Sequence, residues 1–120
     1  MTSVEKEKLF TTGLALFNNK QFYDAHESWE ELWLEHHLSD KKFIQGLIQL
    51  SVGYYHLSTG NIKGAKSLLN KSLDKMKMFS PLNRGIDVQE IIDSIYLSLN
   101  MIESNQNFDW SIVPKLKAAV

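Results

Sequence analysis

The chain is expected to fold as an all-α antiparallel bundle of about five main helices, built from two related helical hairpins and a capping helix, and three observations lead there. Apolar residues recur three and four apart along most of its 120 positions, the spacing that gathers them on one face of a helix. No segment alternates apolar and polar residues as a half-buried strand does. Gly13, Phe22, Ala25 and Trp29 return as Gly53, Ile62, Ala65 and Leu69, at a constant offset of about forty residues that lies within the range of helical repeats. With 43% hydrophobic and 11% aromatic residues the chain has material for one core, so residues 1–120 are expected to form a single domain.

The elements follow from caps and stripes. Thr2 and Glu5 have capping-box spacing, and Leu9, Phe10, Leu14 and Phe17 follow at helical intervals, which sets a first helix over about Ser3 to Phe17. Asn18-Asn19-Lys20 ends it. In a second helix, from Phe22 to near Leu38, Ala25, Trp29, Leu32 and Trp33 draw the apolar stripe, with Glu27, Glu31 and Glu35 as a carboxylate ladder on the outer face. Ser39-Asp40 is expected to cap a third helix, and Thr59-Gly60-Asn61 supplies a C′ glycine followed by the N-cap of a fourth. Ser80-Pro81 closes that helix. Asp87 and Glu90 then form a second capping box, with Ile86 and Ile91 as a hydrophobic staple opening a fifth helix whose stripe is Val88, Ile92, Ile95, Leu99 and Ile102. The remainder, FDWSIVPKLKAAV, reads as a loop anchored by Phe108 and Trp110 with one or two further helical turns.

The third helix is the unusual one. From Phe43 to Ile62 there is no Asp, Glu, Lys or Arg, yet Gln45, Gln49 and His56 share one stripe of an otherwise apolar rod. Two glutamines, three glycines, a histidine and several hydroxyls make the stretch too polar for a membrane span. Buried amides and imidazoles need partners, and His26 with Glu30 on the second helix are the candidates, since an imidazole and a carboxylate four residues apart share a helix edge. If the second and third helices pack antiparallel, His26, Glu30, Gln45, Gln49 and His56 form a buried polar cluster, with Glu27, Trp33 and Tyr55 as outer contributors.

Two chemistries suit such a cluster. One is a self-satisfying network that fixes helix register; the other is a site for a divalent metal or small polar ligand, with His26, Glu30 and His56 as metal candidates. HESWE is not the HExxH zinc-protease motif, because its fifth position is Glu30 and not histidine. His36 and His37 point to different sides of a helix and are expected to satisfy its last carbonyls. There is no phosphate-binding glycine loop, nucleophile elbow or cysteine, so no catalytic residue is assigned, and no cofactor is expected beyond a possible divalent ion. A net charge of -1 and interleaved lysines give no footprint for nucleic acid or an anionic membrane surface. The charged start MTSVEKEKLF has no signal-peptide core, which suits a cytoplasmic protein.

At FYDAHESWEELW, FIQGLIQLSVGYYH and GNIKGAKSLL the chain resembles the small helical family called domain of unknown function 309, over about Phe17 to Leu73. The matching positions are His26, Glu27, Glu30, Trp33, Gln45, Gly46, Gln49, His56, Gly60, Asn61, Gly64 and Ala65. The resemblance implies an all-helical fold found in soluble prokaryotic and plastid proteins, hence a cytoplasmic or stromal location, and it implies no activity. The small, aromatic, small pattern of the two hairpins also resembles tetratricopeptide repeats, with a longer offset and no closing proline. The first functional expectation is a non-catalytic module binding a partner protein or small polar ligand. The alternative is a small metal-assisted hydrolase or lyase using His26, Glu30 and His56.

Overall fold

The computed structural model describes residues 1–117. They form α1 (Ser3–Asn18), α2 (Phe22–Trp33), α3 (Lys41–Ser58), α4 (Ile62–Met76) and α5 (Val88–Glu103), with each helix packed on the next in sequence. A small antiparallel hairpin of β1 (Leu82–Asn83) and β2 (Ile86–Asp87) joins α4 to α5. The all-α class and the order of five helices are as the sequence predicts.

The caps expected at both ends of the bundle are present. The Thr2 hydroxyl accepts from the Glu5 N–H at 3.1 Å, and the Asp87 carboxylate accepts from the Glu90 N–H at 3.0 Å, each satisfying a donor that the first helical turn leaves free. Ile86 and Ile91 are both buried at the start of α5, as a staple requires.

The repeat has a physical meaning. A Cβ added at Gly13 would overlap the Trp29 indole, and the indole Nε1 donates to the Phe10 carbonyl at 3.2 Å. In the second hairpin a Cβ at Gly53 would meet the Leu69 side chain at 3.0 Å. Missing side chains at the two glycines therefore let α1 approach α2 and α3 approach α4. Ala25 and Ala65 are both fully buried under these crossings. The equivalence fails at one place, because Phe22 is buried whereas Ile62 is 46% exposed. Trp110 stacks over Phe22 at 6.1 Å between ring centroids, while Ile62 only lines an open cleft below Leu57 and Phe108.

The turns repeat as well. Gln21 N–H reaches back to the Leu16 carbonyl at 2.9 Å and Asn61 N–H to the His56 carbonyl at 2.8 Å, around Lys20 (φ 60) and Gly60 (φ 84). Both are C-terminal turns closed by a left-handed residue. Asn105 (φ 56) closes α5 in the same way, with Gln106 N–H on the Met101 carbonyl.

Four expectations are corrected. The second helix ends at Trp33 and not near Leu38; the chain then turns, and this brings the half-buried Leu38 side chain back against the core. Ser39 lies outside α3, and Asp40 occupies its N-cap position without capping: its carboxylate is drawn away by Arg84 and Asn83. The strand pair is real although no alternation announces it, because two residues per strand are too few to carry a period. The polar stripe of α3 is not wholly interior, since Gln45, Gln49 and His56 are each only half-buried.

The loop after α5 is anchored as expected. Phe108 and Trp110 pack against the core, and one 3-10 turn forms over Trp110–Ile112. Beyond it, the Asn18 side chain clamps the backbone of Leu116: Nδ2 donates to its carbonyl at 3.0 Å and Oδ1 accepts from its N–H at 2.8 Å. The last three positions of that expected loop, Ala118, Ala119 and Val120, lie outside the described residues. At the centre, Tyr54 is fully buried and shares a 2.8 Å hydrogen bond with Ser98, whose hydroxyl also lies 2.8 Å from the Ser94 carbonyl. Burial pushes the Tyr54 phenol far above its ordinary range, against the opposing influence of the Ser98 bond.

Candidate functional site

The α2–α3 face holds most of the sequence-derived cluster. On α2, His26 Nδ1 donates to the Tyr23 carbonyl at 2.7 Å, and its Nε2 lies 3.3 Å from Glu30 Oε2. The expected imidazole–carboxylate pair is therefore formed. Glu30 is not the inward carboxylate that helical phase suggests, however: its side chain is 57% exposed against 17% for His26. Four residues of helix advance past His26 carry Glu30 beyond the buried stripe, toward the mouth of the groove.

Facing them on α3, Gln45 and Gln49 line a groove of about 280 Å³ together with Glu30, Trp33, Leu34 and Ile48. Gln49 Oε1 is buried there and has no hydrogen-bond partner. A second depression of about 340 Å³ lies along α2 and shares Glu30 and Leu34 with the first; Tyr23, His26, Glu27 and Glu31 complete it. Tyr23 is half exposed, and its ring lies 5.3 Å from that of Tyr55 on α3 and 4.9 Å, edge-on, from His26. Lys41 places its ammonium over the Trp33 ring, 4.6 Å from the centroid.

His56 has a different employment. Asn61 Oδ1 accepts from the Gly64 N–H at 3.0 Å, which orients its amide so that Nδ2 donates to His56 Nδ1 at 3.3 Å. A Cβ at Gly64 would lie only 3.0 Å from the His56 ring and closer still to the Asn61 amide. His56, Gly60, Asn61 and Gly64 thus form one local device that ends α3, turns the chain and starts α4. Among the described residues no three or more His, Cys, Asp or Glu side chains converge as a metal site. The candidate set His26, Glu30 and His56 is accordingly not assembled as three ligands. Helical phase leads to the expectation that all three lie toward the interior, which fails for the exposed Glu30, and it carries no information on which neighbour each would meet.

Some relevant residues escaped the sequence reading. Leu34, 63% exposed, and Ile48 supply the apolar walls of the groove, and Tyr23 is half exposed beside His26. Leu34 follows the apolar stripe onto the wrong side of the helix, a signal that could have marked it. Away from this face, Asp40 receives Arg84 Nε and Nη2 at 2.6 and 2.9 Å and Asn83 Nδ2 at 2.9 Å. Partial burial acts to raise the Asp40 pKa, but the Arg84 and Asn83 hydrogen bonds prevail and hold it below the ordinary aspartate value. This bond set ties the β1–β2 turn to the start of α3.

Fold and face together define an all-helical domain made of two related hairpins, closed by a fifth helix. Residues 10–68 match the model of the family described as Domain of unknown function (DUF309), and the chain carries a domain of that family. The matched stretch covers about the second half of α1, all of α2 and α3 and about the first half of α4, and so contains the groove and the His56–Asn61 turn. No curated protein matches the chain. No helix among the described residues is long and apolar enough to cross a membrane.

Proposed function

We propose that this protein is a non-catalytic binding module and that the α2–α3 groove is its site. The observation that carries the reading is Gln49 Oε1, a buried acceptor without a partner at a groove whose walls are otherwise Trp33, Leu34 and Ile48. An unpaired buried acceptor costs about 1–3 kcal/mol, and a ligand N–H or O–H recovers that cost when the half-buried Gln49 side chain turns its shielded oxygen into the groove. Gln45 and Glu30 offer further acceptors at the same groove. Apolar walls with a few placed polar groups are the general composition of a ligand site. The metal-assisted alternative draws no support from the geometry, because His56 is committed to Asn61.

Side-chain amide resonances of Gln45 and Gln49 test the reading directly. Titration with small amides, amidines and amines should move both resonances saturably for at least one compound, and Gln49→Leu should abolish the response. Unmoved Gln45 and Gln49 resonances, with all binding confined to the cleft of Leu57, Phe108 and Trp110, would overturn it.

A further inference from the structure

Resting on the groove reading, we infer that the occupant of the α2–α3 face is a basic segment of a partner protein, with an arginine or lysine side chain directed at Glu30 and Gln49. Charge complementarity is the first argument. Helix α2 carries Asp24, Glu27, Glu30 and Glu31 and no Lys or Arg. Glu30 meets only the His26 ring, and no ion pair to Lys or Arg forms at Glu27, Glu30 or Glu31 among the described residues. These four carboxylates lie on one twelve-residue helix and give its outer side a local negative charge, with the Lys41 ammonium over Trp33 as an opposing cation at the groove.

Donor chemistry is the second argument. The groove offers the Glu30 carboxylate, an acceptor only, beside the Gln45 and Gln49 amides, whose oxygens accept and whose NH2 groups donate, and the unpaired atom among them is an acceptor, Gln49 Oε1; Glu27 and Glu31 add carboxylates in the neighbouring depression. A guanidinium carries five N–H donors and no acceptor, and its flat face lies well on an aromatic ring. One face of the Trp33 ring is taken by the Lys41 ammonium, so the aromatic surface open to a cation is that of the paired Tyr23 and Tyr55 rings beside Glu27.

Shape favours a chain segment over a compact small molecule. The two depressions lie side by side, share Glu30 and Leu34, and are open along α2, whereas a small-molecule pocket encloses most of its ligand. The exposed side chains of Tyr23 and Leu34 give an extended or helical peptide apolar contacts on either side of its cation.

The test uses the full chain and a short peptide of alternating arginine and leucine, compared with the same peptide bearing citrulline for arginine, and with spermine. The arginine peptide should shift the Gln45 and Gln49 side-chain amides and the Trp33 indole. Its affinity should fall about tenfold or more at high salt and in the combined variant Glu27→Gln, Glu30→Gln, Glu31→Gln. Those three side chains are exposed, so that variant is expected to fold, and an unchanged melting curve checks it. If the citrulline peptide binds equally well and moves the same amides, the basic partner is refuted while the groove reading stands. If spermine matches the arginine peptide at these resonances, a small polycation replaces the protein segment and the inference fails. If no probe moves Gln45 or Gln49, both readings fall together.

Discussion

Glycine and glutamate at single positions have opposite meanings in this fold, although both stand in the same repeated helical frame. Gly13 is filled by the Trp29 indole, so Gly13→Ala should lower stability by about 1–3 kcal/mol through overpacking, as read from urea denaturation. Gly53→Ala places its Cβ 3.0 Å from Leu69 Cγ and Cδ2 and 3.3 Å from the Leu69 backbone nitrogen, a milder overlap than at Gly13, and its gain in helix propensity of about 1 kcal/mol should offset part of the strain. Equal losses at the two positions would show that the two crossings are alike, which the contacts deny. Glu30 was expected from phase to be buried, which would have made its removal costly. Its side chain is 57% exposed, so Glu30→Ala should change stability by no more than about 0.5 kcal/mol while weakening ligand binding. At this scale the sequence told which residues share a face through spacing alone, as with the buried Phe22, Ala25 and Trp29 of α2. It could not tell how far from the axis of burial Glu30 would fall, because that depends on the crossing angle with α3.

Turns and latches decide how the helices are joined. Lys20 and Gly60 occupy equivalent left-handed positions, and only glycine adopts that conformation without steric cost. Lys20→Gly is therefore expected to raise stability by a few tenths of a kcal/mol up to about 1, and Asn61→Ala to lower it by about 1 kcal/mol through loss of the cap on Gly64 and of the bond to His56; thermal or urea unfolding measures both. The Asp40–Arg84 latch has a pH signature. Its carboxyl has a lowered folded-state pKa, so its contribution is fully present above the unfolded value of about 4 and is lost as pH falls through the lower folded value. Asp40→Asn should cost about 1 kcal/mol at neutral pH once solvent screening is allowed for, and should flatten the acid limb of the stability curve. A limb of unchanged slope would mean that other carboxylates govern acid unfolding. The α3–α4 turn was legible because Gly60-Asn61 is a local signal. The latch was not, because its partners lie 44 residues apart and no local period links them.

The whole chain is held together by contacts that close its ends onto its middle. Each helix packs on its neighbour in sequence, an arrangement in which terminal units need capping because they have a neighbour on one side only. On the second hairpin the cap is α5, tied inward by the Tyr54–Ser98 hydrogen bond. For the first it is the segment after α5: Trp110 stacks on Phe22, and Leu116 is clamped by Asn18 at the end of α1. The chain thus returns from the last helix to the first. That return is why the five helices are expected to behave as one domain and not as two hairpins of independent stability. Far-UV circular dichroism and tryptophan fluorescence should report one coincident denaturant transition, since Trp29 lies inside the first hairpin and Trp110 on the closing segment. Trp110→Ala removes the aromatic surface over Phe22 and is expected to lower stability by about 1–3 kcal/mol while leaving the transition single. Two separated transitions in the unsubstituted chain, with fluorescence and dichroism no longer superimposed, would show instead that the closing segment decorates the bundle without coupling its ends.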